Sequence, residues 1–203
     1  MISGRCLFPW SSFGMRKLIA TINLTLDGFC DHTVMTADQS LHQHFSDLLR
    51  DSGVILYGRT TYQLMESYWP LVVEKPTGDR STDEFALNLQ RIPKLLFSRT
   101  LTRVTWENTT LATRSIEEEV QELKHTPGKD IVAGSPSMIV ALTNLKLVDE
   151  YQLCIHPVIA GGGLPLFRGV TGGTVLKRIG TKAFDSGAVL QCYVPVTRDD
   201  HNR

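Results

Sequence analysis

Apolar and polar positions along this chain follow two rhythms. Short runs rich in Leu, Ile and Val read as strands: Arg16 to Asn23 (RKLIATIN), Val54 to Tyr57, Lys94 to Phe97, a short piece near Leu111, and Ile131 to Ala133. Tyr151 to Val158, Gly173 to Phe184 and Ala188 to Val196 complete the set. Among the earlier runs, apolar residues recur at helical spacing. Leu41, Phe45, Leu48 and Leu49 predict a helix capped by Asp38, and Thr60 to Glu66 and Thr82 to Arg91 predict two more. Ser115 with Glu118 three residues on is a capping box, and a helical pattern follows Ile131-Val132-Ala133 as far as Leu145. Leu24 to Ala37 reads as a loop turning at Asp27-Gly28. Ser67 to Arg80, with its proline and glycine, reads as an irregular loop. Asp185-Ser186-Gly187 signals a hairpin between the last two strands.

Strands alternating with helices, then a terminal hairpin, predict an α/β domain. Its central sheet is mostly parallel, flanked by helices, with an antiparallel C-terminal edge. A chain of 203 residues suits one such domain. The first fourteen residues, MISGRCLFPWSSFG, fit no element and read as a loose extension ahead of a domain spanning 15–203. Their single Arg, their apolar piece broken by Pro9 and the lack of a small-residue cleavage site do not make a secretory signal.

Charge narrows the partners. The formal net charge is +0, so no basic field exists to hold nucleic acid. No apolar run approaches the ~20 residues of a membrane span. Cys6, Cys30, Cys154 and Cys192 are scattered, which suits free thiols in a reducing cytoplasm. His42 and His44 are two apart and do not share a helix face, so no metal site is expected from them.

The candidate chemistry sits where strands hand over to turns, because ligands of open parallel sheets bind beyond the strands' carboxyl ends. Gly134-Ser135-Pro136-Ser137 delivers a helix N-terminus straight off a buried strand. Free N–H groups and the positive end of the helix dipole make that a place for an anionic group. In Gly58-Arg59-Thr60-Thr61, Gly58 permits close backbone approach. Arg59 offers a planar fork for phosphate, and Thr60 is placed to cap the next helix. Ser98-Arg99 repeats the pattern after the following strand. The full G-x-G-x-x-G fingerprint is missing. Three such turns together favour a nucleotide with several phosphates, and two arginines suit the 2′-phosphate of NADPH better than NADH.

These segments carry a resemblance. LIATINLTLDGF (Leu18 to Phe29), VILYGRTTYQLM (Val54 to Met65), KLLFSRTL (Lys94 to Leu101), DIVAGSPSMIVAL (Asp130 to Leu142) and LVDEYQLCIHPVIAGGGLPLF (Leu147 to Phe167) occur in order. With them the chain resembles the dihydrofolate reductase-like superfamily. The branch is that of the C-terminal reductase domain of riboflavin biosynthesis and its stand-alone relatives. The likeness covers roughly Met15 to Val196.

The resemblance implies an NADPH-dependent, homodimeric reductase of a small heterocyclic or carbonyl metabolite, acting on C=N or C=O. In its closest form this is 5-amino-6-(5-phosphoribosylamino)uracil reductase activity. It places the 2′-phosphate end of NADPH at Gly58, Arg59, Thr60, Ser98 and Arg99, and the pyrophosphate at Gly134, Ser135, Pro136 and Ser137. The nicotinamide would lie beside Ala20 and Thr21, with Ile22 close by. Asp27 either orients substrate or holds its own loop, and water held by Asp27 or Thr21 would deliver the proton.

Two departures bear on the substrate. Folate reductases keep an acid in the first helix, at a position that falls near Leu41 or His42 here, and neither is acidic. The zinc deaminase elements of the bifunctional riboflavin enzymes are missing as well. A pyrimidinone reductase remains open, with Lys75, Arg80 or Arg168 as candidate groups for a ribose phosphate, and Trp69 and Tyr68 as candidate pocket walls. True folate reduction, and nucleotide binding with little catalysis, are the alternatives.

Overall fold

A computed structural model of the chain describes residues 15–196; the extension predicted for 1–14, Cys6 included, lies outside them. Eight strands form one sheet in the order β4-β3-β2-β5-β1-β6-β8-β7. They are β1 (Leu18–Thr25), β2 (Ser52–Gly58), β3 (Lys94–Phe97), β4 (Thr109–Leu111), β5 (Asp130–Ala133), β6 (Glu150–His156), β7 (Leu176–Ala183) and β8 (Val189–Pro195). Every pairing from β4 through β6 is parallel, and β8 runs antiparallel to both β6 and β7. The predicted class is therefore the observed one. The six helices are α1 (Gln39–Asp51), α2 (Arg59–Glu66), α3 (Trp69–Glu74), α4 (Arg80–Arg91), α5 (Ile116–His125) and α6 (Pro136–Asn144).

Strand alternation divides the side chains between the two faces. Leu18, Ala20 and Leu24 of β1, Val54 and Leu56 of β2, and Ile131 and Ala133 of β5 join Val120 of α5 and Met138, Ile139 and Leu142 of α6 in one buried core. Ile55 and Tyr57 of β2 and Val132 of β5 face the other way, toward Leu49 of α1 and Leu89 of α4.

Local signals explain most boundaries. Asp38 caps α1, accepting from the Leu41 N–H at 2.7 Å, and it also accepts from the Ser186 N–H, which ties the β7–β8 hairpin to α1. Ser115 and Glu118 form the reciprocal capping box of α5. Gly187 takes the left-handed φ of +82° that the hairpin requires.

Three expectations need correction. The loop predicted over Ser67 to Arg80 contains α3. Pro70 there sits in the helix's first turn, where its fixed φ favours the helix instead of breaking it. α4 starts two residues before Thr82, because Asp79 is the cap and accepts from the Thr82 N–H at 2.8 Å. β7 likewise begins at Leu176, three residues after Gly173.

Candidate active site

On the face away from α5 and α6, Thr21 and Asn23 of β1, Ile55 and Tyr57 of β2 and Val132 of β5 form the floor of a cavity of about 460 Å³. Its roof is helical: α1 supplies Phe45, Leu48 and Leu49, and α4 supplies Phe85 and Leu89. Those residues are three or four apart, so each helix offers a single apolar face. Trp69 of α3 stacks edge-on against Phe85 at 4.7 Å and backs this wall, while Tyr68 is exposed.

The mouth opens at the strand ends, where Thr60, Thr61, Gly134, Pro136 and Ser137 line it. Ser135 is the N-cap residue of α6, yet its hydroxyl caps nothing there. It is fully buried and accepts from the Gly58 N–H at 3.0 Å, clamping the β5–α6 turn to the β2–α2 turn. A Cβ on Gly58 would stand 2.8 Å from Ser137 Oγ, so glycine allows this approach. Gly134 lines the mouth, and a Cβ there would meet only the Thr21 carbonyl at 3.7 Å. Packing within the protein does not ask for glycine at 134.

The predicted capping role of Thr60 is not what the structure shows. Gly58 is the N-cap of α2, no side chain caps that helix, and Thr60 is its second residue. Two helix N-termini, those of α2 and α6, thus end side by side without side-chain caps. Pairing of Gly58 with Phe97 brings Arg59 beside the turn that follows β3. There the Arg59 guanidinium donates to Thr100 Oγ1 at 2.9 Å, and Ser98 Oγ accepts from the Thr100 and Leu101 N–H groups. Arg59 and Arg99 are both exposed, outside the cavity wall and on the side of its mouth.

Ala20 and Asp27 lie apart from this wall. The Ala20 side chain points into the opposite core. The Asp27 carboxylate accepts from Thr25 Oγ1 at 2.6 Å and from the N–H groups of Ala160 and Gly161 at 3.1 and 2.7 Å. These bonds, the Thr25 hydroxyl first, hold its pKa down to about 2. The carboxylate is thereby anionic and engaged in fastening the β1–α1 loop to the segment after β6. Cys30 N–H to Leu164 O and Leu166 N–H to Gly28 O fasten the same two loops.

Several lining residues carried no signal in sequence. Tyr57 is 1% exposed, and its hydroxyl and that of Thr21 have no hydrogen-bond partner among the described residues. Asn23 Oδ1 lies 3.0 Å from His156 Nε2. Cys30 and His32 come from the β1–α1 loop, and burial pushes the Cys30 thiol up to about 11. The alternation of β1 and β2 could have paired Thr21 with Asn23 and Ile55 with Tyr57. Nothing in sequence could have set them opposite Phe85. Among the described residues no Asp, Glu, Lys or Arg lines the cavity, so Lys75, Arg80 and Arg168 stay outside it. Arg80 borders a separate recess with Gln43 and Asp185.

Comparison with known proteins agrees with this geometry. Residues 16–190 match the RibD C-terminal domain. Protein YyaP of Bacillus subtilis (strain 168), itself uncharacterized, is 36% identical over 186 residues, covering 88% of this chain and 94% of its own. Among solved structures, a putative riboflavin biosynthesis protein from Shewanella sp. PV-4 superposes with a TM-score of 0.69 at 18% identity, over 89% of this chain and 99% of that one. A diaminohydroxyphosphoribosylaminopyrimidine deaminase/5-amino-6-(5-phosphoribosylamino)uracil reductase from Thermotoga maritima gives 0.65 at 14% identity. This chain covers 57% of that longer protein, and 90% of this chain is matched. The fold is thus that of the riboflavin-type, dihydrofolate reductase-like proteins. The chain belongs to the RibD C-terminal domain family, a family of reductase domains.

Proposed function

We propose that this protein is an NADPH-dependent reductase of a small heterocyclic or carbonyl metabolite, related in chemistry to the pyrimidinone reductases of riboflavin biosynthesis. The observation that carries the reading is the mouth of the cavity. Two helix N-termini without side-chain caps and the two exposed arginines 59 and 99 meet where parallel strands end. Gly134, with no internal packing to require it, fits a backbone that must approach a pyrophosphate. Arg59 and Arg99 would hold the 2′-phosphate, with Ser98 shaping their turn, and Gly134 to Ser137 the pyrophosphate.

Bound NADPH would supply the hydride. The chain's own work is to orient the partners and keep water out, which the apolar roof of Phe45, Leu48 and Phe85 is shaped to do. Thr21 lines the cavity floor, where the nicotinamide or substrate would rest on it; its hydroxyl is sealed and has no partner among the described residues. Asp27 serves by fixing the loops that carry Cys30, His32 and Leu164 into the wall. Burial holds the Cys30 and Tyr57 protons tightly, so neither side chain is suited to give one up to substrate.

Folate reduction is disfavoured because α1 turns Phe45 and Leu48, and no carboxylate, into the cavity. A homodimer would suit the edge strand β7, where Ile179 is exposed, as is Val175 just before the strand; light scattering measures it. The test of the main reading is fluorescence titration with NADPH and NADH, followed by oxidation assays with pterin, pyrimidinone and carbonyl panels. Tighter binding of NADPH and its oxidation with a panel member are expected. Equal affinity for the two cofactors would sink the cofactor assignment, and NADPH binding without any turnover would favour a nucleotide-binding role.

A further inference from the structure

The cavity changes character from its mouth to its inner end. Thr60, Thr61, Gly134 and Ser137 line the mouth, where strands end and the next helices start. Chain direction sets the other end. α1 runs straight into β2 at Ser52, and α4 is followed by β3 at Lys94, so the last turns of both helices lie over the amino-terminal halves of the strands. Those turns bring Leu48, Leu49 and Leu89 into the wall. Ile55 clusters with Leu49 and Leu89. It stands three residues short of Gly58, roughly 10 Å further in along β2.

These four side chains, with Phe85 one turn earlier on α4, carry neither nitrogen nor oxygen. Leu49, Ile55 and Leu89 are buried and close the end. Phe45, Leu48 and Phe85 line the same space and are only half-buried. Trp69, edge-on to Phe85 at 4.7 Å, backs the roof from outside. Apolar surface left open in a cavity is surface that a ligand can cover, and the gain grows with the area covered. An apolar cavity of about 150 Å³ is enough to hold a benzene ring. A volume of about 460 Å³ therefore has room for such a group at the inner end and for a second ring nearer the mouth.

We propose that the substrate carries an apolar alkyl or aryl group that lodges at this inner end, under Leu48 and Phe85, while its reducible C=N or C=O group lies toward the strand ends. This rests on reading the cavity as the substrate end of a reductase, and it names the class of substrate such a site selects. Leu48 and Phe85 are then specificity-determining residues, which fix how large the apolar group can be. The polar end of the substrate is left to the mouth, where hydroxyls and helix N–H groups suit a neutral or an anionic head alike.

The test titrates a series of methyl ketones, with ethyl, butyl and hexyl chains, by calorimetry with and without saturating NADPH. Each added methylene should tighten binding by about 3- to 4-fold, so the hexyl ketone should bind at least about 30-fold more tightly than the ethyl ketone. The heat-capacity change on binding should grow more negative along the series. Leu48→Asp sets a charge beside the chain and should flatten the series. Leu48→Trp fills the inner end and should remove most of the gain for the hexyl ketone; as an apolar exchange it keeps the test available if Leu48→Asp fails to fold. A flat series in the unaltered protein overturns the proposal, as does a steep series that a folded Leu48 variant leaves unchanged. Loss of ketone binding at saturating NADPH overturns it too, because the cofactor then occupies the inner end. In each of these cases tighter binding of NADPH than of NADH leaves the reductase reading standing. A steep, Leu48-dependent series without any NADPH binding supports the apolar pocket and overturns the cofactor reading instead.

Discussion

The two faces of one sheet are built from the same strands and end differently. Toward α5 and α6, alternate residues of β1, β2 and β5 meet Val120, Ile139 and Leu142, all fully buried, and the space is filled. Toward α1 and α4, the intervening residues of the same strands face helices with one apolar side each, and a cavity of about 460 Å³ remains. The covering helices distinguish the faces: α6 is apolar along most of its length, whereas α1 and α4 are polar outside a single stripe. So do the polar residues that β1 turns to one side only, Thr21 and Asn23. The filled core lies on the first face and the candidate site on the second.

The largest effects should come from breaking the filled face. Leu142→Ala should cost about 2–5 kcal/mol, read from urea unfolding, whereas Leu48→Ala on the cavity roof should cost about 1 kcal/mol or less. The first truncation opens a void in packed surroundings, and the second only enlarges an existing space. Equal costs would erase the contrast between the faces.

Ser135→Ala probes the clamp at the mouth. It leaves the buried Gly58 N–H without its acceptor and should lower stability by about 1–3 kcal/mol and weaken NADPH binding with it. At the same mouth, Arg59→Ala should weaken NADPH by roughly 10- to 100-fold with little change for NADH, measured by titration. The Thr100 hydroxyl that Arg59 now contacts is exposed and loses nothing by returning to water.

The smallest effect is a pH dependence at the loops. Asp27 is held at about 2, below the ordinary value of 3.8, so its loop-fastening bonds are intact above the ordinary value and are lost as pH falls through about 2. Hydrogen exchange at Ala160 and Gly161 should therefore rise as pH falls across that window, after correction for intrinsic rates. Asp27→Asn should remove most of that dependence.

Much of this architecture was legible in the amino-acid order. Asp38 and Ser115 announced two helices, Gly187 a hairpin, and the turns at Gly58, Ser98 and Gly134 the carboxyl ends of three neighbouring strands. These are local matters of caps, left-handed glycines and strand-to-helix turns, decided within a few residues. Pro70 misled because one residue type both breaks helices and opens them. Thr60 misled because the cap position fell to Gly58, two residues earlier.

The chain order by itself determined the strands, most helix starts and the turns at the strand ends, since those depend on neighbours in sequence. Only the tertiary structure decided that Gly58 and Ser135, 77 residues apart, share a hydrogen bond. It alone decided that Asp27 is consumed in joining two loops, and that Phe85 closes over Tyr57 and Thr21. The reason is physical. Alternation assigns a side chain to a face, but whether that face is filled or left open depends on where helices from distant parts of the chain come to rest.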